Sequence, residues 1–584
     1  MKPTEEQQAI LDAAGRILLV NARAGTGKTA TLRMIASAHP DRKILYLVFN
    51  RKAREEAEEK FPGNVRVRTV HSLAFERRWQ VGPFTVSDML PPFKGRKSAH
   101  QLAALSHDFL EFFMNSSFSK VEPALEVFQK EYLGNISEEV KKLFQGSGDR
   151  VIKSCREIMR QWKRQQKPCP HDFYLKLFHN DGRFHEELNR FDMVLVDEGQ
   201  DLSPIMLDAL AHCRKRIVIA GDTHQQVYSF RYAIDAMKRF PSDEEQDLTM
   251  SFRFGKDIAE IASLLIREAK GEKSFKVRGN PQKSSGVSFY TDLPRPKEGE
   301  RCAILSRTNL ALFEKAISLR SRGIPFSLEG NVRSILNRIL DVHWLSLKEH
   351  DRIRDSFIQS FRELESLETY ARDLDDFQLA GIAKVVRQYA RILPGVVFEM
   401  MDIKKSTNGD EDDPAVILST VHGAKGREYD RVYIDADIAA ALSRPEALLA
   451  GTFGDEANIA YVAFTRAIRE LHLPPDFKTI LTTQWQTGIR RYEPAPVPRP
   501  TRSSSPLRKR ASLPDLSATG PGQSKPPRKR SFKVGDRVRT VHGEGIIIEI
   551  NCEKYLVALD GRQGRLWEKE WGLKKVRGPS RERS

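Results

Sequence analysis

The thirteen residues Ile17-Leu-Leu-Val-Asn-Ala-Arg-Ala-Gly-Thr-Gly-Lys-Thr29 constrain this chain more than any others. They open on an apolar run, break into a short loop with two glycines, and continue into a helical stretch through Ile35. A short apolar run bounded by turn residues reads as a buried strand. A strand, a glycine loop and a helix start are the parts of a phosphate cradle, because backbone N–H groups and the positive helix end both face an oxyanion. Gly25, Thr26 and Gly27 form the loop, Lys28 can reach β- and γ-phosphates, and the Thr29 hydroxyl can ligate Mg²⁺. The first glycine of G-x-x-x-x-G-K-[ST] is replaced by Ala22, so the loop alone leaves a plain glycine-rich turn open.

Further strands follow at the spacing of a parallel, doubly wound sheet. Lys43–Phe49 and Val65–Thr69 each end in a polar cluster, the second leading into Val70-His71-Ser72. Met193-Val-Leu-Val196 ends in Asp197-Glu198, and Arg216–Ala220 runs into Asp222-Thr-His-Gln225. Strands alternating with helices predict α/β architecture with ligands beyond the carboxyl ends of the strands. Of the two adjacent carboxylates, Asp197 can hold Mg²⁺ through its water shell, and Glu198 is placed to orient or deprotonate an attacking water. Phe230, beside Arg231, is a candidate stacking platform for a nucleic-acid base. A second strand–helix series begins near Arg301 and resumes at Val416, without a phosphate loop of its own. Stretches 81–185 and 336–410 are helical in pattern and carry no motif.

Composition excludes several classes. No apolar run reaches the roughly 18 residues a membrane helix needs, and no secretory signal is read, so an intracellular protein is expected. The five cysteines are scattered without a CxxC pair, which argues for reduced thiols and against a zinc or iron–sulfur site. The +17 net charge is uneven: residues 490–584 hold 23 Lys and Arg against 10 Asp and Glu, leaving only +4 on residues 1–489. Residues 491–531 are rich in Pro, Ser and Arg and are read as a disordered basic linker, a nuclear localisation signal or a nucleic-acid contact. Residues 532–577 have the alternating strands and glycine turns of a small all-β barrel that binds a partner.

Taken in order, Gln7, AxAGTGKT at 22–29, TVHS at 69–72, VDEGQD at 196–201, GDTHQQVYSFR at 221–231, SFR at 251–253, TVHGAKGREYD at 420–430 and YVAFTRA at 461–467 resemble the UvrD/Rep-like superfamily 1 DNA helicases. The SFRFG form at 251–255 and the short second insertion are similar to the F-box DNA helicase branch, although no F-box is read; the last 50 residues resemble a Tudor/SH3-like tail. The resemblance implies two RecA-like domains clamping one ATP. Domain 1A would comprise 1–80 and 186–247, insertion 1B 81–185, domain 2A 248–335 and 411–490, and insertion 2B 336–410.

The same resemblance implies the site residues. Gln7, or Gln8 in the neighbouring register, would read adenine, with Phe252 stacked on it. Lys28, Thr29 and Asp197 would hold phosphates and Mg²⁺, and Glu198 would be the catalytic base. Gln225 would sense the γ-phosphate, Arg253 and Arg466 would be arginine fingers, and Glu428 would contact ribose. His71, Ser72, Phe230, Arg231 and His422 would lie towards single-stranded DNA. The expected activity is an ATP-driven, 3′→5′ translocase and helicase on single strands and single/double-strand junctions, in repair or recombination. It would sit in the cytoplasm or nucleoid of a bacterium or phage, or in a eukaryotic nucleus. Two other readings stay open: an ATPase that strips proteins from DNA with little unwinding, and a recruitment module that docks on RNA polymerase or a repair factor through its tail and barrel.

Overall fold

The computed structural model describes residues 2–134, 136–227, 232, 234–292, 302–330, 332–406, 416–443 and 453–477, and in the C-terminal segment the strands at 537–540, 543–551, 554–559, 565–569 and 574–575. Two compact units divide at Arg499 and Pro500.

The first unit is built on two all-parallel, six-stranded sheets. Sheet one contains β1 (Ile17–Ala22), β2 (Ile44–Val48), β3 (Val65–Thr69), β4 (Met193–Val196), β5 (Arg216–Gly221) and β6 (Glu244–Leu248), in the order β3-β2-β4-β5-β1-β6. Its interior strands are covered on both faces, so β2 and β4 are buried at every position and read as apolar runs. The edge strand β6, Glu-Glu-Gln-Asp-Leu, pairs on one side only and keeps polar side chains, which is why its sequence does not read as a strand. Sheet two contains β7 (Gly286–Phe289), β8 (Cys302–Ser306), β9 (Phe326–Leu328), β10 (Val416–Thr420), β11 (Tyr429–Ile434) and β12 (Ala467–Leu473), in the order β7-β12-β11-β8-β10-β9. It starts earlier than the strand expected near Arg301, because its edge strand β7 is another short, half-polar segment.

Each sheet carries a helical insertion. That of sheet one runs from the short helix Val86–Met89 to Arg183–Leu188; that of sheet two runs from Val332–Ser346 to Leu393–Ser406. The insertions pack on each other. The His100 ring stacks on Phe361 with centroids 4.2 Å apart, and Gln101 donates to the Asp373 carboxylate at 2.9 Å. No helix among the described residues is long and apolar enough to cross a membrane. The second unit contains a five-stranded antiparallel sheet of β13 (Arg537–Thr540), β14 (Gly543–Asn551), β15 (Lys554–Leu559), β16 (Arg565–Lys569) and β17 (Lys574–Lys575), in the order β16-β15-β14-β13-β17. The expected linker 491–531 lies outside the described residues.

Candidate nucleotide and DNA site

The site forms at the carboxyl ends of β1, β4 and β5, where loops leave a parallel sheet and side chains converge. Ala22 ends β1 fully buried. Gly25 and Gly27 take φ of +73° and +80°, left-handed values that a side chain would strain. A Cβ on Gly25 would also lie 2.6 Å from Ser251 Oγ and 2.8 Å from Arg253 Cβ. The 251–253 segment is thus laid directly on the loop, and the Phe252 N–H donates to the Gly25 carbonyl at 2.7 Å. Thr26 closes the turn by donating its hydroxyl to the Arg23 carbonyl at 2.8 Å. Lys28 and Thr29 begin the helix Lys28–Ala38.

Gln7 rather than Gln8 reaches this loop. Thr4 and Gln7 cap the first helix reciprocally, and the Gln7 amide, 4% exposed, donates to Thr31 Oγ1 at 3.1 Å. Gln8 is exposed and bonds Asp12. The Phe252 ring, 38% exposed, lies 3.3 Å from where a Cβ on Gly27 would stand, with Gln7 Nε2 3.7 Å from the same point. An amide, which offers both a donor and an acceptor, and an open aromatic face therefore flank the loop.

The acidic pair is already engaged. Asp197 Oδ2 accepts from Thr29 Oγ1 at 3.2 Å and from Tyr46 at 2.8 Å. Two hard oxygen donors side by side fit Mg²⁺, which is bound through a few protein oxygens and keeps several waters. Glu198 stands at φ +55°, an uncommon conformation for a non-glycine residue of the kind found at functional sites. Lys28 Nζ lies 2.8 Å from Glu198 Oε1 and 3.7 Å from Asp197 Oδ1. Burial would raise the Glu198 carboxyl, but the Lys28 and Lys425 ammonium groups outweigh it and hold it well below the usual carboxylate range. Burial would likewise lower Lys28, and Glu198 and Asp197 overcome it and raise it. Gln200, unassigned from sequence, donates to Glu198 at 2.5 Å and to Asp201 at 3.2 Å. Burial pushes the Asp201 carboxyl up to about 6 despite Lys425 beside it.

Sheet two closes the site. Arg253 Nη2 pairs with Glu428 Oε1 at 2.7 Å, and Nη1 donates to the Thr465 carbonyl at 2.7 Å. Arg466 is 1% exposed; it donates to the Val462 carbonyl at 3.0 Å and to Gln225 Oε1 at 3.4 Å. Burial, then the neighbouring Arg253 guanidinium, brings Arg466 down to about 9. Gln225 in turn donates to Asp222 Oδ2 at 2.8 Å. Two more cross-sheet contacts were not read from the sequence. Lys425 pairs with Asp201, donates to the Gln225 carbonyl at 2.9 Å, and stands 3.9 Å from Glu198. The Tyr461 hydroxyl accepts from the Ala24 N–H and donates to Asp222, both at 3.2 Å. The available signals were a lysine between two glycines after β10 and a tyrosine on a helix otherwise apolar at its end.

Of the residues assigned to DNA, His71 Nε2 contacts Asp172 Oδ1 of the first insertion at 2.9 Å, and Ser72 turns its hydroxyl to the Thr69 carbonyl. His422 Nε2 contacts the Val227 carbonyl at 3.0 Å, at the entrance to the segment holding Phe230 and Arg231; burial lowers this imidazole. Phe230 and Arg231 themselves lie outside the described residues.

The UvrD/REP helicase N-terminal domain matches residues 3–244, and the UvrD-like helicase C-terminal domain matches residues 345–474. The chain belongs to the UvrD/REP helicase family. It is 30% identical over 531 residues to F-box DNA helicase 1 of Gallus gallus, covering 84% of this chain and 51% of the relative. It is 29% identical to F-box DNA helicase protein 1 of Schizosaccharomyces pombe, covering 80% and 57%, and 21% identical to the putative ATP-dependent DNA helicase YjcD of Bacillus subtilis, covering 80% and 78%. The chain spans little more than half the length of the two F-box helicases.

Proposed function

We propose that this chain is an ATP-driven DNA translocase and helicase that moves 3′→5′ on single strands and opens duplex in repair or recombination. One observation carries the reading: Glu198, paired with Lys28 on sheet one, and Gln225 meet Lys425 and Arg466 from sheet two, with Arg253 beside Arg466. Lys28 exchanges Glu198 for the nucleotide phosphates, and Gln7 and Phe252 hold the base. Thr29 and Asp197 hold Mg²⁺, which neutralises phosphate charge. Glu198, released from Lys28, takes the proton of the attacking water. Arg253 and Arg466 stabilise the charge that develops, Gln225, which links Arg466 to Asp222, senses the γ-phosphate, and Glu428, released from Arg253, takes the ribose. Fingers from the second sheet make hydrolysis depend on closure, and such groups contribute about 10³–10⁵-fold in related sites. His71, Ser72, Phe230, Arg231 and His422 face the strand, so closing and reopening ratchets it. Each base-pair step resists opening by about 1.4 kcal/mol, roughly a tenfold bias that hydrolysis must overcome. The basic tail and the C-terminal sheet serve recruitment to a protein partner such as RNA polymerase or a repair factor.

The test is steady-state ATPase activity with and without single-stranded DNA, in wild type and Glu198→Gln. Strong DNA stimulation, abolished in the variant, is expected. Hydrolysis indifferent to DNA, or persisting in Glu198→Gln, overturns the proposal.

A further inference from the structure

Four helices of the first insertion, Ala99–Asn115, Val121–Glu131, Gly148–Lys163 and His171–Asn180, each contribute a wall to a cavity of about 640 Å³. That is the size of a small-molecule site, and no residue lining it belongs to the helicase motifs. Its inner wall is apolar: Phe113 and Phe173 are buried, and Met159 and Leu177 are half-buried. Glu122 and Arg156, each about half exposed and paired with one another, line its solvent side.

Lys176 is set into this wall and is 2% exposed. Its ammonium stands 4.6 Å from the Phe113 ring centroid and donates to the Ser116 carbonyl at 2.6 Å. An ammonium carries three N–H donors, and among the described residues no carboxylate pairs with this one. Asp208, whose charge favours the protonated amine, is itself paired with His179 at 2.7 Å. Burial therefore prevails and brings the amine down to about 7. Burying an ammonium without a counter-charge is costly, and folds ordinarily avoid it. Capping the Ser116 carbonyl uses one donor and would be served equally by a solvated lysine. It does not account for an unpaired cation in the wall of a cavity.

A second, independent feature has the same polarity. The eleven-residue helix Val121–Glu131 begins at the cavity, which Lys120, Val121 and Glu122 line. Its cap, Lys120, supplies no side-chain hydrogen bond, so the first-turn N–H groups of Val121 and Glu122 have no capping acceptor. Such a helix end carries partial positive charge and favours an anion. The Glu122 carboxylate, which could neutralise it, is turned to Arg156.

We propose that this cavity binds a small organic anion with an apolar body, a carboxylate on an aliphatic or aromatic group. The acid head pairs with Lys176 and the N-terminus of Val121–Glu131, and the body lies against Phe113, Phe173, Met159 and Leu177. The site uses none of the motor residues and stands or falls independently of the motor.

Titration calorimetry on the full chain tests it with octanoate and naphthoate, each compared with the uncharged alcohol of the same skeleton. At least one acid should bind saturably at one site, at least about tenfold more tightly than its alcohol, the difference a charge-assisted hydrogen bond makes. Lys176→Met keeps the apolar stem, removes the ammonium, and should erase that preference. Met159→Trp fills the cavity with Lys176 in place and should abolish saturable binding. Thermal transitions check that both variants fold; if Lys176→Met does not, Met159→Trp and the acid–alcohol comparison still decide. Lack of saturable binding by either acid, or equal affinity for acid and alcohol, overturns the site. So does a preference that survives Lys176→Met, or binding that survives Met159→Trp.

Discussion

Arg466 separates what the fold needs from what the chemistry needs. It is a fully buried guanidinium without an ion-pair partner among the described residues, and it lies beside a second guanidinium, Arg253. Its descent from the ordinary guanidinium value to about 9 corresponds to roughly 5 kcal/mol against the charged form, at about 1.4 kcal/mol per pH unit. Both folded and unfolded chains hold this proton at pH 7, so the cost is present there in full. It fades only as pH rises above about 9, where the folded chain gives up its proton first. Replacing a buried ion pair with apolar groups of similar volume is often stabilising by about 1–4 kcal/mol, and a buried guanidinium with no ion-pair partner leaves no opposite charge stranded when it is removed. Arg466→Met should therefore raise the urea midpoint of the nucleotide-free protein, by an amount in that range once scaled by the m-value. The same substitution should lower the DNA-stimulated kcat by about 10³-fold or more, because a finger is lost. A lower midpoint, as for an ordinary core truncation, would refute the reasoning about burial. A kcat within tenfold of wild type would refute the catalytic role.

Two further outcomes follow from packing and titration. Gly199→Ala would place a Cβ 2.4 Å from Ile219 Cγ2 and 3.0 Å from Met237 Sδ; a loss of about 1–3 kcal/mol in urea unfolding is expected, shrinking in an Ile219→Ala background. An undiminished loss in that background would show the clash is not the cause. Lys176 is buried against the Phe113 ring, donates to the Ser116 carbonyl at 2.6 Å, and is brought down by burial to about 7. Between pH 7 and about 10.5 the unfolded chain holds a proton that the folded chain has lost, so wild-type stability should rise with pH across that window. Lys176→Met should remove this rise and stabilise most below pH 7; parallel pH profiles would count against it.

Much of the nucleotide site was legible because its parts are local. A strand, a glycine loop and Lys28-Thr29 are contiguous, and Asp197-Glu198 directly follows an apolar strand. The interior strands of both sheets were equally plain, since burial on two faces demands an apolar run. Even the choice between Gln7 and Gln8 had a local signal, because Thr4 and Gln7 stand at the spacing of a reciprocal cap. Gly199 carries no local signal of its need for a glycine; Ile219 and Met237 supply the steric reason. The edge strands β6 and β7 were missed, because pairing on one side imposes no apolar period.

The sequence by itself determined the two-sheet α/β fold, the phosphate loop and the membership in the helicase family, since each rests on short runs and motifs that are local in themselves and are read in order along the chain. Only the tertiary structure decided which distant groups share one site. Lys425 lies 227 positions from Glu198 and Tyr461 lies 437 positions from Ala24, and neither separation leaves a periodicity to read. The tertiary structure alone also paired Lys28 with Glu198 and packed the two helical insertions together. Those contacts depend on how the sheets and helices are brought together, and chain connectivity does not record that.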